Sequence, residues 1–232
     1  MKLTQLSIGE KTNILLGLFV GSLIAANLIG LKIANFVIFE ASVGILFFPI
    51  LFLITDIIEE VHGKKKTQEI VIIGFIVLLF VLIVTSIAVY ALPHAERSCV
   101  FFIDGEFVDY KGGYDSIFGT TMRIFIASIT AFLIAQLHDI WAFNFWKQKT
   151  KGKFLWLRNN LSTIVSTFID TMLFMFIAFY AISPKFTAEY VFSIAIPYWL
   201  VKVLFALFDT PFCYLGVKWL KGSKKHVKSK SS

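Results

Sequence analysis

Residues 158–180 combine a row of polar side chains with enough apolar length to cross a bilayer, which takes about 20 residues. At about 100° per residue, Asn159, Thr163, Ser166 and Asp170 fall in one narrow stripe of the predicted helix. Asp170 would lie near the bilayer centre, where a carboxylate costs at least ~2.5–3.5 kcal/mol and normally faces protein or a wet cavity. Such a carboxylate can accept hydrogen bonds from a solute. The alternative is a buried aspartate that only holds helices together.

Six further polar or charged side chains occur within the other predicted spans: Asn27, Asp56, Arg123, Gln136, Asp139 and Lys202. Polar groups in an otherwise apolar bundle mark solute or ion pathways by default. If Asp209 is included, the four aspartates of the spans exceed the two cations by two charges. That excess favours a cationic solute or protonated carboxyl groups.

Three of the polar residues have simpler alternatives. The alternative for Asn27 is an interhelical hydrogen bond, and Arg123 is close enough to a membrane surface to extend its side chain outward. Glu60 lies four residues before Lys64, a spacing that predicts an ion pair at the membrane surface.

No pattern typical of an enzyme occurs in the sequence: it lacks a nucleotide-binding glycine loop, a metal-ligand cluster and a nucleophile–base pair. Residues 59–62 read Glu-Glu-Val-His, which resembles part of a metalloprotease helix but lacks the spacing of two histidines. The sequence therefore predicts a protein without catalytic activity, bound metal or cofactor.

The composition is typical of a polytopic membrane protein. Of the 232 residues, 57% are hydrophobic and 26 are phenylalanine, and the mean hydropathy is +0.79. We predict one all-α domain over residues 1–232, with six transmembrane helices at about 13–38, 43–61, 69–92, 117–145, 159–182 and 192–220. Between the third and fourth helices, Asp104-Gly105 predicts the turn of a β-hairpin that lies on the helix ends.

Small residues recur every four positions in two of these helices, a spacing that allows close helix packing in lipid. They are Gly17, Gly21 and Ala25 in the first helix, and Ala127, Ala131 and Ala135 in the fourth. Pro49 is predicted to kink the second helix.

The basic residues orient the molecule. Sixteen of the 22 Lys and Arg residues fall on one side of the six predicted spans, and four fall on the other. By the positive-inside rule, both termini are cytoplasmic. We expect the protein to lie in the cell inner membrane. The basic tail, residues 222–232, is explained by anionic lipid, so no nucleic-acid partner is predicted. The sequence does not decide whether the protein forms a homo-oligomer.

Short motifs follow one another along nearly the whole chain: Asn27, Phe48-Pro49, Thr55-Asp56, Gly63-Lys64-Lys65, residues 114–119, residues 123–128, Gln136-Leu-His-Asp139, residues 155–163, Asp170-Thr171, residues 177–179 and Lys202. Their ordered succession resembles the queuosine precursor transporters, a group of the vitamin uptake transporter family. The resemblance implies import of 7-deazaguanine bases such as preQ0, preQ1 or queuine for tRNA modification. It also implies a six-helix bundle similar to the substrate-binding components of energy-coupling-factor transporters. Thr167 and Met122 depart from the pattern, which often has glutamine and proline there.

The substrate class implied by the resemblance assigns roles to the polar residues. A guanine-like edge offers N–H donors that Asp170 would accept, while its carbonyl requires an amide or a cation from Asn27, Gln136, Arg123 or Lys202. Stacking on an aromatic ring contributes ~1–3 kcal/mol per base, and Phe48 and Phe174 are candidates. The cationic aminomethyl group of preQ1 would suit the excess of acidic residues.

Two other functions stay open at this point. One is a vitamin-binding component that depends on an ATP-driven partner. The other is a structural membrane protein whose polar groups only pack helices. Uptake of a labelled solute by cells that carry this protein alone distinguishes all three.

Overall fold

The computed structural model describes residues 6–30, 32–35, 40–119, 121–181 and 184–222. Helix α1 (Ile8–Ile29) begins with a capping box. The Ser7 hydroxyl accepts a hydrogen bond from the Glu10 N–H, and the Glu10 carboxylate accepts one from the Ser7 N–H. The N–H groups of Ser7 and Glu10, at the helix end where N–H groups lack partners within the helix, are therefore both hydrogen-bonded.

The first helix ends well before the predicted residue 38. After Ile29 the chain forms an antiparallel pair of short strands, β1 (Ile33–Asn35) and β2 (Glu40–Ser42). The Ser42 hydroxyl donates a hydrogen bond to the Gly30 carbonyl, which joins the end of β2 to the end of α1. The prediction failed there because a short apolar run fits a strand as well as a helix.

The second predicted helix consists of a 3₁₀ segment, Val43–Phe47, followed by α2 (Phe48–His62). Pro49 lies in the first turn of α2, where its missing N–H costs no helical hydrogen bond, so the predicted mid-helix kink is wrong. Gly63, at φ +84°, is the single residue between α2 and α3 (Lys64–Ser86). A positive φ of this kind suits glycine, and it turns the chain sharply between the two helices.

The chain beyond α3 continues as a π-helical turn, Ile87–Ala91, and then forms the predicted hairpin. Strands β3 (Val100–Ile103) and β4 (Glu106–Asp109) pair in antiparallel register. Asp104 and Gly105 have φ angles of 50° and 90°, the positive pair expected of a two-residue hairpin loop. The hairpin is confirmed, but its aromatic side chains do not pack on helix ends: Phe101, Phe102 and Phe107 are 57–78% exposed.

The remaining helices are α4 (Lys111–Gly119), α5 (Thr121–Lys149), α6 (Leu155–Phe179) and α7 (Ala188–Lys221). Helix α5 packs most extensively against α6, and α7 packs against α6 and α2. The polar stripe of α6 is buried rather than facing lipid: Asn159, Thr163 and Ser166 are at most 3% exposed, and Asp170 is 13% exposed. Ser162 and Thr167, beside the stripe, are fully buried.

Five helical segments in the described residues are long and apolar enough to cross a membrane. They are α1, α3 with its π-helical turn, α4 together with α5, α6 and α7. The chain is thus a mostly helical, multi-pass membrane protein. The second predicted span, residues 43–61, corresponds to α2 and its 3₁₀ segment, which are not among these five. The predicted basic tail lies almost wholly outside the described residues.

Small residues do bring helices together, but only some of those expected. Ala127, Ala131 and Ala135 are fully buried, as the four-residue spacing predicts. A Cβ atom added to Gly17 or Gly21 would meet no atom within 4 Å among the described residues, so the packing interpretation of that pair is wrong. The close approach in this region is instead at Gly74 of α3, where a Cβ would lie 2.7 Å from Leu23 and 2.8 Å from Phe19.

Candidate functional site

A cavity lies between α1, α2, α5, α6 and α7, and it is the candidate binding site. The centre of a water-sized molecule can occupy about 120 Å³ of it, whereas one water needs only ~10–15 Å³. Four of the predicted site residues line it: Asn27, Gln136, Asp170 and Lys202. The aromatic residues of its wall are Phe48, Phe52, Phe132, Phe174 and Tyr198. A mostly apolar cavity with a few convergent polar groups is typical of small-molecule sites.

Asp170 and Lys202 form an ion pair in the wall of this cavity. The Lys202 Nζ donates to Asp170 Oδ2 at 2.7 Å, and the side chains are 5% and 13% exposed. The same Nζ lies 3.8 Å from the ring centroid of Phe48 and 5.1 Å from that of Tyr198. Lys202 therefore has an ionic partner that the sequence did not identify, and two aromatic faces stabilise its ammonium group.

Gln136 presents an unused amide at the same cavity. Its side chain is 0% exposed, yet neither Nε2 nor Oε1 has a hydrogen-bond partner in the described part of the chain. A buried polar group without a partner costs roughly 1–3 kcal/mol. A ligand that offers both a donor and an acceptor would remove that cost, so Gln136 is complementary to an amide-like edge.

Asn27 lines the cavity from α1. Its Nδ2 donates to the carbonyl oxygen of Leu23 at 2.9 Å, one turn earlier in the same helix. This hydrogen bond does not join two helices, which is the role that the simpler alternative gave to Asn27. The side-chain oxygen of Asn27 remains an acceptor at the cavity wall.

Asp56 and Asp139 do not line the cavity but form a separate cluster of buried carboxyl groups with Glu59. The three residues are 1–2% exposed, and Oδ1 of Asp56 and of Asp139 has no hydrogen-bond partner in the described part of the chain. Ser162 and Ser166 of α6 lie near Asp139, but their hydroxyls donate to the carbonyl oxygens of Asn159 and Ser162. Among the described residues, no group of three His, Cys, Asp or Glu side chains is arranged to hold a metal ion.

Arg123 is also outside the cavity wall. Its Nε donates to the Ile177 carbonyl and its Nη2 to the Tyr180 carbonyl, both at 2.7 Å. These are carbonyl groups at the C-terminal end of α6, which lack partners within the helix. Arg123 thus caps α6, and a cation at that end is also favoured by the helix dipole.

Glu60 pairs with other residues than the sequence predicted. Instead of Lys64, it contacts Arg158 at 2.7 Å, Lys147 at 2.9 Å and Lys221 at 3.5 Å. The predicted pair is wrong because Gly63 ends the helix between Glu60 and Lys64, so the four-residue rule does not apply. The network joins α2, α5, α6 and α7, and Arg158 is only 1% exposed within it.

Sequence reasoning missed several residues of the wall. Tyr198 lies one helical turn before Lys202, and that spacing was a usable signal. Gly44 lies against the end of α1, where an added Cβ would be 3.0 Å from the Ala26 carbonyl oxygen. Only glycine permits this approach without displacement of the backbone. The sequence gives no sign of this approach, because it depends on how the segment with Gly44 packs against α1.

Comparison with known proteins gives matches over most of the chain. A family model described as a putative vitamin uptake transporter matches residues 42–216. A probable queuosine precursor transporter of Bacillus subtilis (strain 168) is 26% identical over 214 residues, which are 90% of this chain and 87% of that protein. No solved structure matches significantly.

Two further relatives carry similar descriptions. A probable queuosine precursor transporter of Haemophilus influenzae is 30% identical over 168 residues, 72% of this chain and 64% of that protein. The queuosine precursor transporter of Escherichia coli (strain K12) is 27% identical over 170 residues, 73% of this chain and 69% of that protein.

Proposed function

Because the chain belongs to the putative vitamin uptake transporter family, we propose that it imports queuosine precursors across the inner membrane. Three relatives described as transporters of such precursors, similar over most of this chain, support the proposal. The substrate would be a 7-deazaguanine base such as preQ0, preQ1 or queuine. The protein would act as a carrier rather than as an enzyme.

The observation that carries this proposal is the unpaired amide of Gln136 in the cavity wall. A guanine-like ring has a carbonyl beside an N–H, and a glutamine amide matches that pair with one donor and one acceptor. Asp170 would accept the remaining N–H groups of the base, since a carboxylate has about four lone-pair sites and Lys202 engages one oxygen.

Aromatic rings of the wall would hold the plane of the base. Phe48 and Phe174 both line the cavity, on α2 and α6. Stacking on one such ring is worth ~1–3 kcal/mol, whichever base is bound. Phe48 already carries the Lys202 ammonium on its face, so Phe174 is the freer platform.

The proposed architecture has six membrane crossings. The 3₁₀ segment and α2 together are about 32 Å long, close to the ~30 Å of the hydrocarbon core. With this crossing, both termini and the sixteen basic residues on their side are cytoplasmic. The similarity to substrate-binding components of energy-coupling-factor transporters remains part of the proposal.

The test of the binding site compares two glutamine variants of α5. We expect Gln136→Leu to weaken base binding about tenfold or more, because each lost hydrogen bond contributes about 1 kcal/mol. Its thermal stability should stay equal or rise, since an unpaired buried amide is removed. The control is Gln148→Leu, which changes an exposed glutamine of the same helix. Equal binding of labelled base by purified Gln136→Leu and parent protein would remove Gln136 from the site.

Uptake measurements separate the remaining functions. Cells that lack their own transporter and carry this protein alone should accumulate labelled base and regain queuosine in their tRNA. Accumulation only after addition of an ATP-driven partner would identify a binding component. Folded protein that neither binds nor accumulates any of the three bases would identify a structural role.

A further inference from the structure

The described residues of the cavity wall include one positive and one negative side chain, which neutralise each other. Of these nineteen described residues, Asp170 and Lys202 alone are charged, and their charged atoms are 2.7 Å apart. The polar members that remain are uncharged: Asn27, Ser42, Ser128, Gln136 and Tyr198. The excess of acidic residues counted in the sequence is therefore not an excess at the cavity.

The other aspartates of the spans do not reach the cavity wall. Asp56 and Asp139 lie close to each other in the buried carboxyl cluster, and Glu59 is its third member. Asp209, on α7, is also absent from the wall. Among the described residues, the Asp170–Lys202 pair therefore supplies the charges that are in direct contact with the cavity.

Lys202 occupies the position that a cationic ligand would require. Its ammonium group has the features of a bound cation: a carboxylate at 2.7 Å and aromatic faces with centroids at 3.8 and 5.1 Å. A second cation in the same cavity would lose its hydration and meet a like charge. An uncharged ring system has neither cost.

We propose that Lys202 makes this cavity select bases with an uncharged substituent and reject those with a cationic side arm. This inference rests on the proposed function, and it reverses the expectation that a cationic aminomethyl base suits the site. Lys202 is then a specificity-determining residue, since its side chain satisfies Asp170 in place of a substrate ammonium. Gln136 and the aromatic wall supply affinity for the ring in either case.

The experiment measures the dissociation constants of two bases for purified, folded protein at neutral pH. The bases share one ring and differ in charge: the 7-cyano base is neutral and the 7-aminomethyl base is cationic. We expect the parent to bind the neutral base at least about tenfold more tightly. Lys202→Met leaves Asp170 unneutralised, so the ratio of the two constants should shift toward the cationic base by about tenfold or more. Lys202→Arg keeps the charge and should keep the ratio of the parent.

Two further variants serve as controls. Lys218→Met removes an exposed lysine of the same helix and should leave the ratio unchanged. Asp170→Asn keeps Lys202 but removes the anion, so discrimination against the cationic base should increase. This second variant tests the charge argument even where Lys202→Met fails to fold.

Several results would overturn the inference. One is a parent protein that binds the cationic base as tightly as the neutral one. Another is a Lys202→Met protein in which both constants change by the same factor, which would make Lys202 a general positioning residue. Failure of the folded parent to bind either base is a different result, because it rejects the proposed function itself.

Discussion

At the scale of single residues, the side-chain contacts that matter here join different helices. Periodicity placed Asp170 on a polar stripe, and hydropathy placed Lys202 within another span, but neither showed that the two residues form a pair. Their contact spans 32 residues and two helices, α6 and α7. Spacing rules relate residues three or four apart within a helix, so contacts of this kind lie beyond them.

Glu60 gives a residue-scale prediction about stability. Glu60→Gln removes the anion that Arg158, Lys147 and Lys221 share, and it leaves the guanidinium of Arg158 buried without a counter-ion. Breaking a buried pair from one side costs on the order of 3 kcal/mol, so we expect a clear fall in thermal stability in detergent.

The matched control for that variant is Glu69→Gln. Glu69 pairs with Lys66 at the same 2.7 Å distance as the Glu60–Arg158 pair, but both side chains of the exposed pair are accessible to solvent. Exposed ion pairs contribute ~0–1 kcal/mol, so the stability should change little. If Glu60→Gln and Glu69→Gln lower the thermal stability equally, burial of the Glu60 ion-pair network does not explain its contribution to stability.

At the scale of elements, hydropathy located the helices well and their ends poorly. The third, fourth, fifth and sixth predicted helices overlap α3, α5, α6 and α7 over most of their length. The first helix was extended over residues that form β1, because an apolar run carries no signal that separates a short strand from a helix end. The Asp104-Gly105 turn was correct because both residue types accept positive φ.

Helix packing yields a prediction that separates two glycines of similar sequence context. Gly74→Leu would force a side chain into Leu23 and Phe19, whose atoms already lie within 2.8 Å of an added Cβ. Overpacking of this kind costs about 1–3 kcal/mol, so the yield of folded protein and its melting temperature should fall.

Gly21→Leu is the comparison for this prediction. Gly21 has open space around it, and both substitutions gain similar helix propensity, so only the packing differs. We expect Gly21→Leu protein to fold as well as the parent. A loss of folding in Gly21→Leu equal to that in Gly74→Leu would mean that Gly21 meets another surface, such as a second copy of the chain.

At the scale of the whole molecule, the number of crossings decides on which side each end lies. Five segments of the described chain qualify as spans by length and composition, and a sixth crossing depends on α2 with its 3₁₀ segment.

We expect cysteines at Gly9 and Lys65, in a background without Cys99 and Cys213, to react with a membrane-impermeant reagent only from the cytoplasm. A cysteine at Lys111 should react only from outside. Gly9 is suited to the test because nothing lies within 4 Å of an added Cβ. The six-crossing arrangement requires positions 9 and 65 to share a side, because two crossings separate them. Labelling of these two positions from opposite sides would show that α2 does not cross, leaving five spans and termini on opposite sides of the membrane.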